Sequence, residues 1–527
     1  MAAPALLGLT GCGGSAGSAG SREVSTEESE FGGEMLAVGK PARGGKVTFA
    51  MTSPVEHLDP TKPVGVSYIN PMHSVYDALM TMDAHGNPRP QLVKSMKASR
   101  DQRTWTMTLP AGVKFSDGTP FNAQAVIGHA KNVARSTSLQ ALQARRISSM
   151  TAKSETVVEF ELDAPWASFP ALFADASSLA TVPSPTAFAK EGARFGTKPV
   201  GAGPFVVTSF VPGQSLTLKR NPHYYRDDVP YADTVEYQVL PDPTARISGL
   251  QSGDVDIATL SSPTDVQGAA SAGLTVLKQS GFNYYTILMN LKDPVLRDSK
   301  VRRAISMAID RRSINQVVSN GKNEPMAGFL TPNHPFFRHD ADWPAYDQKA
   351  ARRLVKEFKA ESGRKKIALE MTLPGISEMS RSAAVVQQML ADVGIDMTYK
   401  TVAPTTMVAA AASDNWQLQL RDSGVQPETF MRMDTRFNSK SPANLVGAAD
   451  PGLDRLFARA KLAKSQEERE ALIRQIQVEL NAWLPEIPLV TTTSAMAVGS
   501  RVTHFPGVYP STSNESFDAS LVAVGNR

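Results

Sequence analysis

Asp242-Pro243-Thr244-Ala245-Arg246-Ile247-Ser248-Gly249-Leu250-Gln251-Ser252-Gly253-Asp254-Val255-Asp256-Ile257 encodes a helix and the strand that follows it in one short stretch. Asp242 can accept hydrogen bonds from the first-turn amides. Pro243 suits a first turn whose amides lack helical partners, and Gly253 can adopt the left-handed conformation that ends a helix. Ile247 and Leu250 lie on one side of that helix, and residues 255–257 read as a strand.

The same alternation extends towards both ends. On the amino-terminal side, strands are expected at 46–50, before the turn Leu58-Asp59-Pro60, and at 157–162. A strand pair, 105–109 with 113–115, would be joined by Pro110-Ala111-Gly112 and lead into a helix near Ala123. A hairpin joins 205–210 to 215–219 through Pro212-Gly213. On the carboxyl-terminal side, Val301, Ala304, Ile305, Ala308 and Ile309 recur at helical spacing after Ser299. Arg302, Arg303 and Arg311 fall off that stripe and read as solvated charge. Three more apolar stripes follow: Ala351, Leu354, Val355 and Phe358; Val386, Met389, Leu390 and Val393, stopped by Gly394; and Leu472, Ile476, Leu480 and Trp483. Ser465 and Glu468 form a capping box before the last. Strands at 368–373, 395–401 and 416–420 lie between these helices. Strands alternating with helices imply an α/β architecture with helix-covered sheets.

At 527 residues the chain exceeds what a single hydrophobic core serves, so at least two lobes are expected. Hydrophobic residues make up 42%, charged residues 20%, and the mean hydropathy is -0.21, as in ordinary globular proteins. A net charge of +4, with no long basic run, does not point to nucleic acid. The single cysteine excludes an internal disulfide. Its setting, Leu9-Thr10-Gly11-Cys12 after an apolar run from Ala5, resembles a bacterial lipobox, whose cysteine sulfur receives a diacylglyceryl group. Two acyl chains give stable anchoring without a membrane-spanning helix. No Lys or Arg precedes Cys12, which suggests a start codon assigned too late. Residues 13–43 are Gly/Ser/Ala-rich and then acidic, and read as a flexible tether. No apolar stretch reaches the ~18 residues that span a bilayer.

Reaction chemistry leaves little trace. The sequence contains no G-x-x-x-x-G-K-[ST], H-E-x-x-H, C-x-x-C or G-x-S-x-G motif. Gly201-Ala202-Gly203 precedes Pro204 and a strand, so it reads as a turn and not as a phosphate loop. His57, beside Glu56 and Asp59, lacks a second histidine at ligand spacing, and structural or ligand-facing polarity is the favoured reading over a metal site. Neither a metal nor a cofactor is expected.

Several segments, in this order, resemble the family 5 extracellular solute-binding proteins, receptors of dipeptide, oligopeptide and nickel importers. They are Leu58-Asp59-Pro60; Gly112-Val113-Lys114-Phe115-Ser116-Asp117-Gly118-Thr119-Pro120-Phe121; Pro199-Val200-Gly201-Ala202-Gly203-Pro204-Phe205; Lys219-Arg220-Asn221-Pro222-His223-Tyr224-Tyr225; Leu250-Gln251-Ser252-Gly253-Asp254-Val255-Asp256; Val301-Arg302-Arg303-Ala304-Ile305-Ser306-Met307-Ala308-Ile309-Asp310; and Pro485-Glu486-Ile487-Pro488-Leu489. Most of this is turn and cap chemistry. The resemblance implies a periplasmic-binding-protein type II fold: two α/β lobes, a crossing-strand hinge and an inserted subdomain. The expected division is signal 1–12, tether 13–43, lobe I from 44–79, 197–285 and 488–527, inserted subdomain 80–196, and lobe II 286–487.

The resemblance further implies that a solute, an oligopeptide or peptide-like compound, is enclosed between the lobes and handed to ABC permease subunits. The receptor is expected to be a monomer, without enzymatic activity, and extracytoplasmic, anchored by Cys12 to the outer face of the cytoplasmic membrane. Candidate ligand contacts are Glu56, His57, Asn283, Tyr284, Ser377, Glu378, Arg421, Asp422 and Ser423, with Tyr285 beside them. Peptide-binding relatives usually carry a Trp and an Asp, then an Asp-Pro step, after the strand equivalent to 416–420, and the first Asp pairs with the peptide amine. This chain reads Arg421-Asp422-Ser423-Gly424-Val425-Gln426-Pro427. Asp422 can still hold an amine, or Arg421 can satisfy it. After Leu373, where some dipeptide-binding relatives place an Arg, Gly375-Ile376-Ser377-Glu378 offers a carboxylate no anchor, which argues against an ordinary dipeptide. A ligand sensor of the same fold and a lipoprotein enzyme are the rival classes.

Overall fold

The computed structural model describes residues 25–28 and 33–525 except 63–65, 84–86, 137, 139, 175–176, 279–282, 333, 335, 339–342, 404–405, 408–409, 412, 425–428, 442–443, 448, 464–465 and 509–515. Cys12 and the capping residue Ser465 lie outside the described residues.

The opening stretch folds as its residues dictate. Asp242 accepts from the Ala245 amide at 2.8 Å, the helix runs Pro243–Ser252, and Gly253 ends it at φ 80°. The strand that follows, Ile257–Leu260, joins a seven-stranded sheet, here lobe I, in the order Phe205–Val211, Ser215–Arg220, Thr234–Val239, Lys46–Met51, Ile257–Leu260, Ala495–Val498, Thr275–Lys278. Lys46–Met51 is parallel to both of its neighbours. It is almost wholly buried and apolar, with Val47, Phe49, Ala50 and Met51 at 2% exposure or less, as a central parallel strand must be.

Lobe II is built on a five-stranded sheet ordered Asp396–Thr401, Ala368–Leu373, Leu418–Gly424, Asn283–Met289, Glu486–Thr491. A four-stranded antiparallel sheet, Ser95–Ala98, Thr104–Thr108, Val157–Leu162 and Ile147–Ser154, carries its own core of Phe115, Phe160, Phe169 and Phe173. The chain passes between the two large sheets twice, from Lys278 to Asn283 and from Thr491 to Ala495. Tight backbone contact secures lobe I: a Cβ on Gly201 would lie 2.3 Å from the Val75 carbonyl oxygen, and one on Gly203 2.6 Å from the Val75 carbonyl carbon.

Four expectations need correction. Residues 113–115 do not pair with the strand at 105–109. Both edges of Thr104–Thr108 are taken by Ser95–Ala98 and Val157–Leu162, and Lys114 makes only an isolated bridge to Pro120. The flexible-tether reading of 13–43 fails at its carboxyl-terminal end. Glu34–Ala37 pairs with Ser25–Glu28 on one side and Val502–Phe505 on the other, because Leu36 within the acidic stretch buries itself in lobe I at 3% exposure. Arg302 and Arg311 are not solvated: they are 2% and 7% exposed. Arg302 donates to the carbonyls of Leu296, Arg297 and Trp483, and Arg311 to that of Pro488, so each guanidinium closes chain ends that helix and strand hydrogen bonds leave open. Finally, the strand expected at 416–420 runs Leu418–Gly424, which turns a supposed loop into sheet.

Among the described residues, no helix is long and apolar enough to cross a membrane, and no group of His, Cys, Asp and Glu could hold a metal ion.

Candidate functional site

Both large sheets turn the carboxyl ends of their parallel strands towards the crossings. In lobe I, Leu260 and Lys278 both pair with Ala495, at the end of the second crossing. In lobe II, Ala368–Leu373 and Leu418–Gly424 run parallel, and Leu418–Gly424 ends opposite Asn283, where the first crossing arrives. A crevice beyond the carboxyl ends of such strands is where α/β sheets bind ligands, because loops and helix starts converge there without filling the space.

At that edge the antiparallel register sets Tyr284 opposite Ser423, Tyr285 opposite Asp422 and Thr286 opposite Arg421. Side chains alternate across a sheet, so the two faces carry different chemistry. One face presents Asn283, Tyr285 and Asp422. The Asp422 side chain is open to water yet walled by protein, and this crowding pushes its carboxyl up to about 6 against the pull of nearby Arg432. Tyr285 is 8% exposed, and its hydroxyl is pushed up by burial and by the charges of Asp422 and Glu378. Glu378 stands in the first turn of the helix Ser377–Ala391, accepts from Ser377 Oγ at 3.0 Å and pairs with Arg381 at 3.4 Å. Asn283 is 7% exposed, and its Oδ1 has no hydrogen-bond partner.

The opposite face is cationic. The helix Thr429–Phe437 brings Arg432 and Arg436, one turn apart, over Tyr284 and Ser423. Arg432 donates to Ser423 Oγ and lies 5.8 Å above the Tyr284 ring. Arg436 donates to Ser423 Oγ at 3.0 Å and to Glu486 Oε2 at 2.7 Å. Glu486, 1% exposed, also accepts from the Tyr284 hydroxyl at 3.1 Å. Arg421 extends to the same side and reaches the Met407 carbonyl at 3.5 Å. Burial, with Arg436 nearby, pushes the Arg421 guanidinium down to about 10. Burial lowers Arg432 as well.

The structure thus gathers Asn283, Tyr284, Glu378, Arg421, Asp422 and Ser423 at one end of lobe II, with Ser377 starting the adjacent helix. Glu56 and His57 lie in lobe I, past the end of Lys46–Met51. The Glu56 amide donates to the Tyr68 hydroxyl at 3.0 Å, and His57 packs its ring on Tyr68 at 5.1 Å. The carboxylate of Glu56 sits against the hairpin turn at Gly213. The suggestion that Arg421 satisfies Asp422 is overturned: they are successive residues of one strand and point to opposite faces. The loop assignment of Ser377 and Glu378 is corrected too, since both belong to a helix.

Arg381, Arg432, Arg436 and Glu486 were not foreseen. The i, i+4 spacing of Arg432 and Arg436 was a readable sign of a shared helix face. So was a lone Glu among the apolar residues of Pro485-Glu486-Ile487.

Comparison with known proteins adds four likenesses. The family described as "Bacterial extracellular solute-binding proteins, family 5 Middle" matches residues 87–442. A relative from Pseudomonas aeruginosa, a probable di/tripeptide-binding protein, is 31% identical over 306 residues, which cover 55% of this chain and 57% of that relative. A glutathione-binding protein from Shigella dysenteriae is 26% identical over 472 residues, covering 85% of this chain and 89% of its own. An oligopeptide-binding protein from Bacillus subtilis, solved with a nonapeptide, shares the fold at a TM-score of 0.77 and 23% identity, covering 92% of this chain and all of that one.

Proposed function

The chain belongs to the bacterial extracellular solute-binding proteins of family 5, and from this membership we propose that it captures an oligopeptide or peptide-like solute between its lobes. It delivers that solute to the permease of an ABC importer. The observation that carries this reading is the meeting of two sheets, carboxyl edges inward, across two crossings, with Asp422 at the rim. Closure about the crossings buries the solute, and the closed form is what the permease reads.

In this reading Asp422 receives the solute's amine, Tyr285 and Asn283 line its path, and Glu56 and His57 face it from lobe I. The protein binds without reacting, acts as a monomer, and is held at the outer face of the cytoplasmic membrane through a lipid on Cys12. The resemblance of Leu9-Thr10-Gly11-Cys12 to a lipobox supports the anchor.

Protein stripped of solute by unfolding and refolding tests the proposal in thermal-shift titrations with peptides of two to nine residues. A true ligand at 100 times its Kd stabilises the folded state by about 2.7 kcal/mol, and is recovered with unchanged mass. A peptide panel that produces no shift, or a peptide returned cleaved, sinks the proposal.

A further inference from the structure

We propose that the outer flank of lobe II, built on the helix Gln348–Ser362 and the turn after it, is a docking surface for an anionic phospholipid bilayer. The inference goes beyond solute capture and draws on the lipid-anchor reading only for where that bilayer lies.

Charge is unevenly spread along this chain. Residues 348–366 hold eight Lys and Arg against two Glu, a net +6, whereas the whole chain carries +4. Folding sharpens the separation. Ala351, Val355 and Phe358 are buried in the lobe II core. At about 3.6 residues per turn, Lys349, Arg352, Arg353, Lys356 and Lys359 share an arc of about 120° on the opposite side. The two acids lie outside that arc, towards Lys300 on the neighbouring helix Ser299–Ala308. Glu361 pairs with Lys300, Glu357 lies within its electrostatic reach, and Arg353 approaches Glu357 only to 3.8 Å. Arg364, Lys365 and Lys366, all exposed, extend the surface to the start of Ala368–Leu373, the end of that strand away from the crevice. A filled crevice leaves it open.

A merely solvated helix face mixes its signs, because opposite charges one turn apart support a helix and like charges destabilise it. Here Lys349 stands one turn before Arg353, and Arg352 one turn before Lys356. Lys349 also sits in the first turn, where the helix dipole disfavours a cation. The ammonium groups of Lys349, Lys356, Lys365 and Lys366 have no hydrogen-bond or ion-pair partner among the described residues. Arg352 and Lys359 donate to the backbone carbonyls of Asp392 and Gly394, each at 2.9 Å, which fixes the side chains and leaves their charge unneutralised. Within the arc the largest apolar side chain is Ala360, so the face lacks the apolar centre of a protein interface. A layer of anionic headgroups asks only for charge, and each Lys or Arg near it strengthens binding by roughly fivefold. A lipid on Cys12 would keep such a layer within reach.

The test uses the full chain carrying Cys12→Ser, so that no acyl chain contributes, and vesicles of phosphatidylglycerol and phosphatidylcholine in equal parts, read by co-sedimentation. Binding is expected to these vesicles and not to pure phosphatidylcholine, and should fall at least tenfold between about 50 mM and about 500 mM salt. Lys356→Gln, Lys365→Gln and Lys366→Gln together should weaken it at least tenfold, with the unfolding midpoint unchanged or raised. Lys97→Gln, Lys131→Gln and Lys190→Gln, which remove the same charge from exposed positions elsewhere, should change it by less than twofold. Three results overturn the proposal: no binding to the anionic vesicles, as an acidic protein partner would give; equal losses in the two triple variants; or a clear fall in the midpoint of the first. No solute enters the assay, so a failed receptor reading leaves its result standing.

Discussion

Glu486→Gln removes the carboxylate that, among the described residues, is buried with Arg421, Arg432 and Arg436, and keeps its shape. In the wild-type protein Glu486 is 1% exposed, accepts from Arg436 at 2.7 Å and from Tyr284 at 3.1 Å. With charge centres about 4 Å apart and an effective dielectric constant near 20, the ion pair is worth about 4 kcal/mol before desolvation. An amide is easier to bury, which returns part of that. The remaining arginines then repel one another without a counter-charge, which takes some away again. The net expectation is a loss of about 2–4 kcal/mol in unfolding free energy, within the range for a broken buried pair. Urea unfolding, followed by circular dichroism and tryptophan fluorescence, measures it. A double-mutant cycle with Arg436→Gln isolates the coupling. A loss below about 0.5 kcal/mol, or a double variant equal to the sum of the singles, would refute the claim that Glu486 holds this cluster together.

Other expectations are as direct. Asp77, 5% exposed, accepts from the hydroxyls of Tyr224 and Tyr225, and burial and then Asp518 push its carboxyl up to about 6 from 3.8. The folded state therefore holds the proton more tightly than the unfolded chain. Its contribution is full below pH 3.8 and is lost as pH rises through 6, a change of up to about 3 kcal/mol. Asp77→Asn should gain stability over the wild type between pH 4 and 7, and parallel denaturation curves across that range would count against this. Arg302→Met strips three carbonyls of their donor and should cost about 2–4 kcal/mol, measured by denaturant midpoint. Arg302→Lys, which cannot fork, should recover less than half. For Asp422, affinity for a peptide with a free amine should fall as pH drops below 6. Asp422→Asn should weaken binding by roughly ten- to a hundredfold and abolish that pH dependence, both read by calorimetry.

Local chemistry made the α/β alternation legible. The Asp242 cap, Pro243 and Gly253 act within one turn of themselves, and the hairpin at Pro212-Gly213 closes on adjacent residues. Such features survive any tertiary context, because their partners are neighbours in the chain. The candidate site was legible only in part. Asp422, Tyr284 and Ser423 stood out by position, but the division of labour between them did not. Which face of the sheet each occupies depends on register: a strand set at 416–420 leaves Arg421 and Asp422 side by side in a loop, whereas Leu418–Gly424 sends them to opposite sides.

Burial of charge was likewise invisible in the sequence. Arg302 and Arg432 are both arginines on amphipathic helices, and periodicity marks each as a surface residue. Only the packed chain shows that one meets three carbonyls and the other is left with an unpartnered donor. The sequence by itself determined the order of strands and helices, because caps, turns and apolar spacing act over a few residues. The tertiary structure decided where charge is buried and whether it is neutralised, because partners such as Glu486 for Arg436, or Arg432 and Glu486 for Tyr284, come from other strands and helices, 50 to 200 or so residues away in the chain.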